Sequence, residues 1–124
     1  MKTFYQNQYV TYSIVQGILY VHYKHMQVIC LNAAQTIVKD QLRLQDDVSL
    51  PVLYNIDGIL HADYEARNYL AHSGTLLTKA IALLCSNLVH EYMGRYFIEV
   101  CLPTVPTRVF TDEQEALLFL ENYK

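Results

Sequence analysis

Val52-Leu53-Tyr54-Asn55-Ile56-Asp57-Gly58 decides the fold. Five mostly apolar residues stopped by an Asp-Gly pair have the length of a strand and no polar/apolar alternation. A strand of that composition is buried on both faces, as in a parallel sheet covered by helices. The pattern returns at Ala80-Ile81-Ala82-Leu83-Leu84-Cys85. Between the two runs lies a helix, with Asp63 as a candidate N-cap, Tyr64, Arg67, Leu70 and Ala71 along it, and Ser73-Gly74 as its stop. Strand, helix and strand in that order predict a parallel crossover.

Upstream, Gln8 to Val15 alternates Val10, Tyr12 and Ile14 with Tyr9, Thr11 and Ser13, and Ile18 to Lys24 alternates again. Period two with β-branched and aromatic residues predicts two strands, joined at Gln16-Gly17 as an antiparallel hairpin. Its tyrosines, Tyr9, Tyr12, Tyr20 and Tyr23, read as cross-strand packing rather than as a ligand-stacking face. The spacing of His25 to Cys30 is compatible with a helix start, but Asn32 with Gln35 has the form of a capping box, which predicts a helix over 33–44. Ala34, Ile37, Val38 and Leu42 form its apolar side, and Gln35, Lys39, Gln41 and Arg43 its polar side. Gln45 to Pro51 reads as a loop.

Downstream, Ser86 reads as the cap of a helix on which Leu88, Val89, Tyr92, Met93, Tyr96, Phe97 and Val100 make a broad apolar side. That spacing suits a core-facing helix, and packing is preferred to a ligand pocket at Tyr92 and Tyr96. Pro103 and Pro106 close the segment. Thr107 to Phe110 is a short strand, and Thr111 with Gln114 reads as the capping box of a last helix burying Ala116, Leu117 and Leu120. The order is β-β-α-β-α-β-α-β-α: an α/β chain with an antiparallel hairpin and then parallel βα units, expected as one domain over residues 1–124.

Composition narrows the function. A chain of 124 residues with 52% hydrophobic and 17% charged residues is rich in core, and a net charge of −3 supplies no basic footprint for nucleic acid. Polar residues from Thr3 to Gln8 interrupt any signal-peptide core, and no run approaches the length of a membrane span, so a cytoplasmic protein without membrane insertion is expected. Cys30, Cys85 and Cys101, odd in number and flanked by apolar residues, read as reduced thiols in a core.

The run from Leu50 to Ile59, then Tyr64-Glu65-Ala66-Arg67, the strand at Ala80 to Leu84, the helix from Leu88 to Leu102 and Pro106-Thr107-Arg108-Val109-Phe110-Thr111-Asp112-Glu113-Gln114-Glu115-Ala116-Leu117 resemble a family of small bacterial proteins. These are the STAS-like proteins, similar to anti-anti-sigma factor domains and common among Bacteroidetes, and the resemblance spans roughly residues 9 to 122. It implies a mixed sheet of four or five strands with about four helices packed largely on one face. It implies no settled activity. Better understood relatives dock on a kinase or a sigma-regulating protein and are switched by phosphorylation of a Ser or Thr in the loop after a central strand. Here that loop reads Asp57-Gly58-Ile59-Leu60-His61-Ala62-Asp63, without Ser or Thr, so the usual switch is not expected.

The candidate ligand- or partner-binding residues are Asp57, His61 and Asp63 in this loop and Ser86-Asn87 at the next strand end, where α/β sheets favour anions. Asp63 and Ser86 are equally well read as ordinary helix caps. His61 with two carboxylates nearby lacks a nucleophile, no catalytic fingerprint occurs, and His22 and His25 lack a third metal ligand. Neither catalytic residues, metal nor cofactor is expected. The reading is a non-enzymatic regulatory or protein-interaction module with an unidentified protein partner, the alternative being a carrier or sensor of a small apolar or anionic ligand. A homodimer through the aromatic hairpin is expected if its edge is uncovered.

Overall fold

The computed structural model describes residues 2–124. Strands β1 (Phe4–Gln6), β2 (Val10–Val15), β3 (Ile18–Tyr23) and β4 (Gln27–Ile29) precede helix α1 (Leu31–Gln45). Then come β5 (Leu50–Asn55), β6 (Ile59–Ala62), α2 (Tyr64–His72) and β7 (Thr78–Leu84). Helix α3 (Leu88–Tyr96), continued by a π-helical turn at Phe97–Cys101, then β8 (Thr107–Phe110) and α4 (Glu113–Glu121) complete the chain. Six strands form the main sheet in the order β1-β2-β3-β5-β7-β8, and β4 pairs with β6 in a separate parallel ribbon. The hairpin is antiparallel, while β3-β5, β5-β7 and β7-β8 are parallel, as the crossover pattern predicts. The main sheet has more strands than expected, because β1 adds one outside the hairpin, and β4 and β6 form a second, unexpected pair.

The central strands show why their sequences do not alternate. Val52 and Tyr54 of β5 face α1, while Leu53 faces α4. On β7, Ile81 and Leu83 face the first core, and Ala80, Ala82 and Leu84 face the second. Helices α1, α2 and α3 cover one face and α4 the other, where Ala116 and Leu120 seat against Ala80 and Ala82. Small residues on the strand let the short helix approach closely.

Pro51 belongs to β5 rather than to the preceding loop, and the β5-β7 register slips between Leu50 and Val52. A proline in a central strand removes one ladder hydrogen bond, and a bulge is where a sheet tolerates that loss. Helix α1 starts two residues earlier than the capping box predicted, with Cys30 at the N-cap and no side-chain cap. Cys30 is exposed, against the expectation of three core thiols, whereas Cys85 and Cys101 are buried. Gln41, expected on the polar side of α1, is fully buried: its Oε1 accepts from the Tyr54 hydroxyl at 3.1 Å and its Nε2 donates to Gln45. Gln45 in turn donates to the Leu77 carbonyl at 2.7 Å, so a buried polar chain joins α1 to β5 and to the turn before β7.

The aromatic hairpin packs as expected across its strands, with Tyr12 and Tyr23 buried and Tyr5 stacked on Tyr12. Its outer edge is not open, because β1 pairs with β2 from Phe4↔Ser13 to Gln6↔Thr11. The edge on which self-association was expected is therefore occupied by the chain itself along that stretch. At the other end of β3, the chain crosses so tightly that a Cβ on Gly58 would lie 2.3 Å from the carbonyl oxygens of Tyr23 and Lys24. Only glycine admits this approach, which sends the chain from β5 into the β4-β6 ribbon.

Candidate functional site

Helix α3 departs most from the sequence expectation. Its apolar residues occupy more of its circumference than a single sheet contact can cover. Met93 and Phe97 face the sheet and pack on the first core. Leu88, Val89 and Tyr92 point away and are 74%, 68% and 77% exposed, and Tyr96 and Val100 are exposed beside them. The expectation that Tyr92 and Tyr96 are core residues is overturned, because α3 lies against β7 and the edge strand β8 with no further layer above it. The contact with the sheet is close: a Cβ on Gly94 would stand 2.8 Å from Cγ2 of Val109.

Facing α3 is the β4-β6 ribbon. Ile29, Ile59 and Ala62 turn inward, leaving Val28, Leu60 and His61 outward, with Val28 directly opposite His61. A groove of about 380 Å³ runs between ribbon and helix, walled by Leu60, His61 and Ala62 on one side and Val89, Tyr92, Met93 and Tyr96 on the other. Beside it, between the sheet, α2 and α3, is a partly open apolar cavity of about 80 Å³ lined by Tyr23, Tyr54, Ile59, Leu83 and Phe97 among others. Ala62, Arg67 and Met93 line both spaces and form the boundary between them.

Arg67, closing the first turn of α2, is the one Arg or Lys lining either space. Its guanidinium carbon is 4.9 Å from the centre of the Tyr96 ring, within cation–π range. Its Nε is buried without a hydrogen-bond partner. Burial pushes the Cys101 thiol up, and the nearby Arg67 charge only partly offsets this. Burial likewise pushes the Tyr54 hydroxyl up to about 12, against a smaller opposing effect of its hydrogen bond with Gln41.

The residues singled out from the sequence separate into two groups. Asp57 and the Ser86-Asn87 pair meet where β5 and β7 end: Oδ1 of Asp57 accepts the Ser86 N–H at 2.8 Å. Ser86 is not the cap of α3. Asn87 is, its Oδ1 accepting the His90 N–H at 2.9 Å. The His90 ring then spans the groove end, with Nδ1 2.9 Å from that same Asn87 oxygen and Nε2 2.7 Å from the Ile59 carbonyl. His61 and Asp63 form the second group, an exposed pair at the groove rim with Nε2 3.3 Å from Oδ1. Asp63 does stand at the N-cap of α2, but its side chain makes no cap hydrogen bond. At α4, Asp112 rather than Thr111 is the cap, accepting the Gln114 N–H at 2.8 Å.

Arg67, Leu60 and Val89 were not singled out as site residues from the sequence. For Val89 alone a signal was present, the surplus of apolar residues around α3, too many for one buried stripe. Leu60 belongs to a strand too short to read, and Arg67 is an ordinary residue of a helix until its neighbours are known.

This architecture defines the class: a mixed α/β sheet with a SpoIIAA-like, that is STAS-like, fold. It is similar to the crystal structure of an uncharacterized protein of the DUF3478 family from Shewanella loihica PV-4, with a TM-score of 0.62 at 14% identity. That likeness covers 94% of this chain and 98% of the other. Residues 12–124 match the family described as a domain of unknown function, DUF7793, and the chain belongs to that family. No curated protein matches the sequence.

Proposed function

We propose that this chain is a non-enzymatic regulatory or protein-interaction module, which docks a protein partner on the face shared by α3 and the β4-β6 ribbon. The observation that carries this reading is the exposure of Leu88, Val89 and Tyr92 on one helix beside Leu60 and Val28. Contiguous exposed apolar surface marks an interaction site, and tyrosine is favoured there because it contributes large area at low conformational cost. His61 and Asp63 border the face at the groove rim, and Asp57, Ser86 and Asn87 border it at the start of α3. The absence of Ser and Thr from residues 57–63 favours docking that is not switched by phosphorylation in that loop.

A photoreactive amino acid at position 92, with position 79, the one exposed residue of β7, as a control, tests this in the native cells. The expected result is one dominant adduct from position 92, absent from position 79 and abolished by Val89→Asp. An adduct with a second copy of the chain would identify the partner as self. The reading fails if positions 92 and 79 capture the same mixture, or if Val89→Asp leaves the adduct intact.

A second reading, a carrier or sensor of a small apolar or anionic ligand, is favoured by the cavity of about 80 Å³ beneath Met93. Such a cavity adjoins the groove at Ala62, Arg67 and Met93, so a ligand and a docked partner would share a boundary.

A further inference from the structure

We infer that the cavity receives the apolar end of a small carboxylate whose head group pairs with Arg67, an inference that rests on the carrier reading above. The cavity walls are almost wholly hydrocarbon and aromatic ring, from Tyr54 and Ile81 on the sheet to Leu70 and Phe97 on the helices. A site of that kind recognises an alkyl chain by area alone. Its size limits the chain: an engineered cavity of ~150 Å³ takes benzene, and about half that space takes the last three or four carbons of an unbranched chain. The remainder of the ligand then lies at the boundary, and the boundary holds a cation.

Three features leave that cation in want of an anion. No Asp or Glu among the described residues makes a salt bridge with Arg67. Its Nε, buried and without a partner, is a donor that an unmet hydrogen bond makes costly. The groups beside it, the Tyr96 ring and the neutral Cys101 thiol, do not neutralise its charge. A guanidinium pairs a carboxylate through two parallel N–H···O bonds, and a half-buried setting strengthens such a pair relative to water. An alcohol of the same chain length would meet the cavity equally well but leave the charge unpaired. An amine would place like charges together.

The test titrates the intact protein with hexanoate, hexan-1-ol and hexylamine, following ¹⁵N–¹H spectra that include the arginine Nε–H resonances. Hexanoate is expected to bind at least ten-fold more tightly than hexan-1-ol, to shift the Arg67 Nε–H signal, and to outcompete hexylamine entirely. In Arg67→Gln, hexanoate should fall to the affinity of the alcohol, while Arg67→Lys should keep part of the preference. Equal binding of hexanoate and hexan-1-ol to the wild-type protein would leave the carrier reading standing and overturn the pairing with Arg67. Binding of none of the three would overturn the carrier reading, and this inference with it. The comparison of ligands on the wild-type chain decides the matter even if the Arg67 variants do not fold.

Discussion

The Asp57 carboxylate, just past the end of β5, accepts the backbone N–H of Ser86 at 2.8 Å and so ties the β5-β6 loop to the start of α3. Asp57 receives no help from its own backbone in doing this, because its N–H is held by the Asn55 side chain at 3.1 Å. The arrangement puts a chain carboxylate on the strand end where the sequence suggested that an external anion would sit. Two loops that frame the groove thereby share one contact. The same charge adds to burial in holding the Cys85 thiol up.

Removing that contact should loosen the groove end. Asp57→Ala is expected to cost about 1 kcal/mol in urea unfolding, near the typical net value of an intramolecular hydrogen bond. Asp57→Asn keeps an acceptor and should cost less than half as much. Equal losses for the two variants would show that the bond contributes nothing.

Adjacent residues on α3 should behave oppositely. Tyr92→Ser changes an exposed side chain and is expected to alter stability by no more than about 0.5 kcal/mol. Met93→Ala removes a side chain packed on the core beneath it and should cost about 1–3 kcal/mol, less than a fully buried truncation. Similar losses at the two positions, measured by chemical denaturation, would mean that Tyr92 is not on a free face.

Gly94→Ala offers a test of sign. In an open helix this change stabilises by nearly 1 kcal/mol. Here the added methyl meets Val109 Cγ2 at 2.8 Å, so a net loss of about 1–3 kcal/mol is expected. Val109→Ala in the same chain should recover part of it. A stabilising Gly94→Ala would show that α3 does not lie this close to β8.

Alkaline pH should destabilise the fold through its buried tyrosines. The Tyr54 hydroxyl is pushed from 10.0 up to about 12 by burial, and those of Tyr12 and Tyr23 are raised in the same direction by burial. Below pH 10 the hydroxyl is protonated in folded and unfolded chains alike. Between 10 and 12 the unfolded chain releases a proton that the folded chain keeps, so stability falls as pH rises. Tyr54→Phe should reduce the slope by about one proton over that interval, in urea melts at stepped pH. An unchanged slope would place the Tyr54 hydroxyl in water.

Much of the fold was legible in residue order. The uninterrupted apolar runs at Val52–Ile56 and Ala80–Cys85 announced parallel strands covered on both faces, and their side chains do divide between two cores. The hairpin alternation and its Gln16-Gly17 turn were legible too, and the structure pairs Val15 with Ile18 across that turn. Cap positions were less legible. Ser86, Asn87, Thr111 and Asp112 are neighbours with equivalent side-chain chemistry, and only backbone angles choose between them. The β4-β6 ribbon was not legible at all, since its two strands are separated in the chain by α1 and β5 and find each other only in the tertiary structure.

Sequence by itself determined what depends on local pattern: the α/β class, the antiparallel start, the parallel continuation and the loop without Ser or Thr at 57–63. Tertiary structure alone decided which apolar residues are buried. Periodicity states that Val89, Tyr92, Met93 and Tyr96 lie on a helix, but a helix has one circumference and α3 has one sheet beneath it. Burial is a relation to neighbours distant in the chain, so Met93 went inward against the core, Tyr92 was left facing solvent, and Arg67 came to stand between groove and cavity.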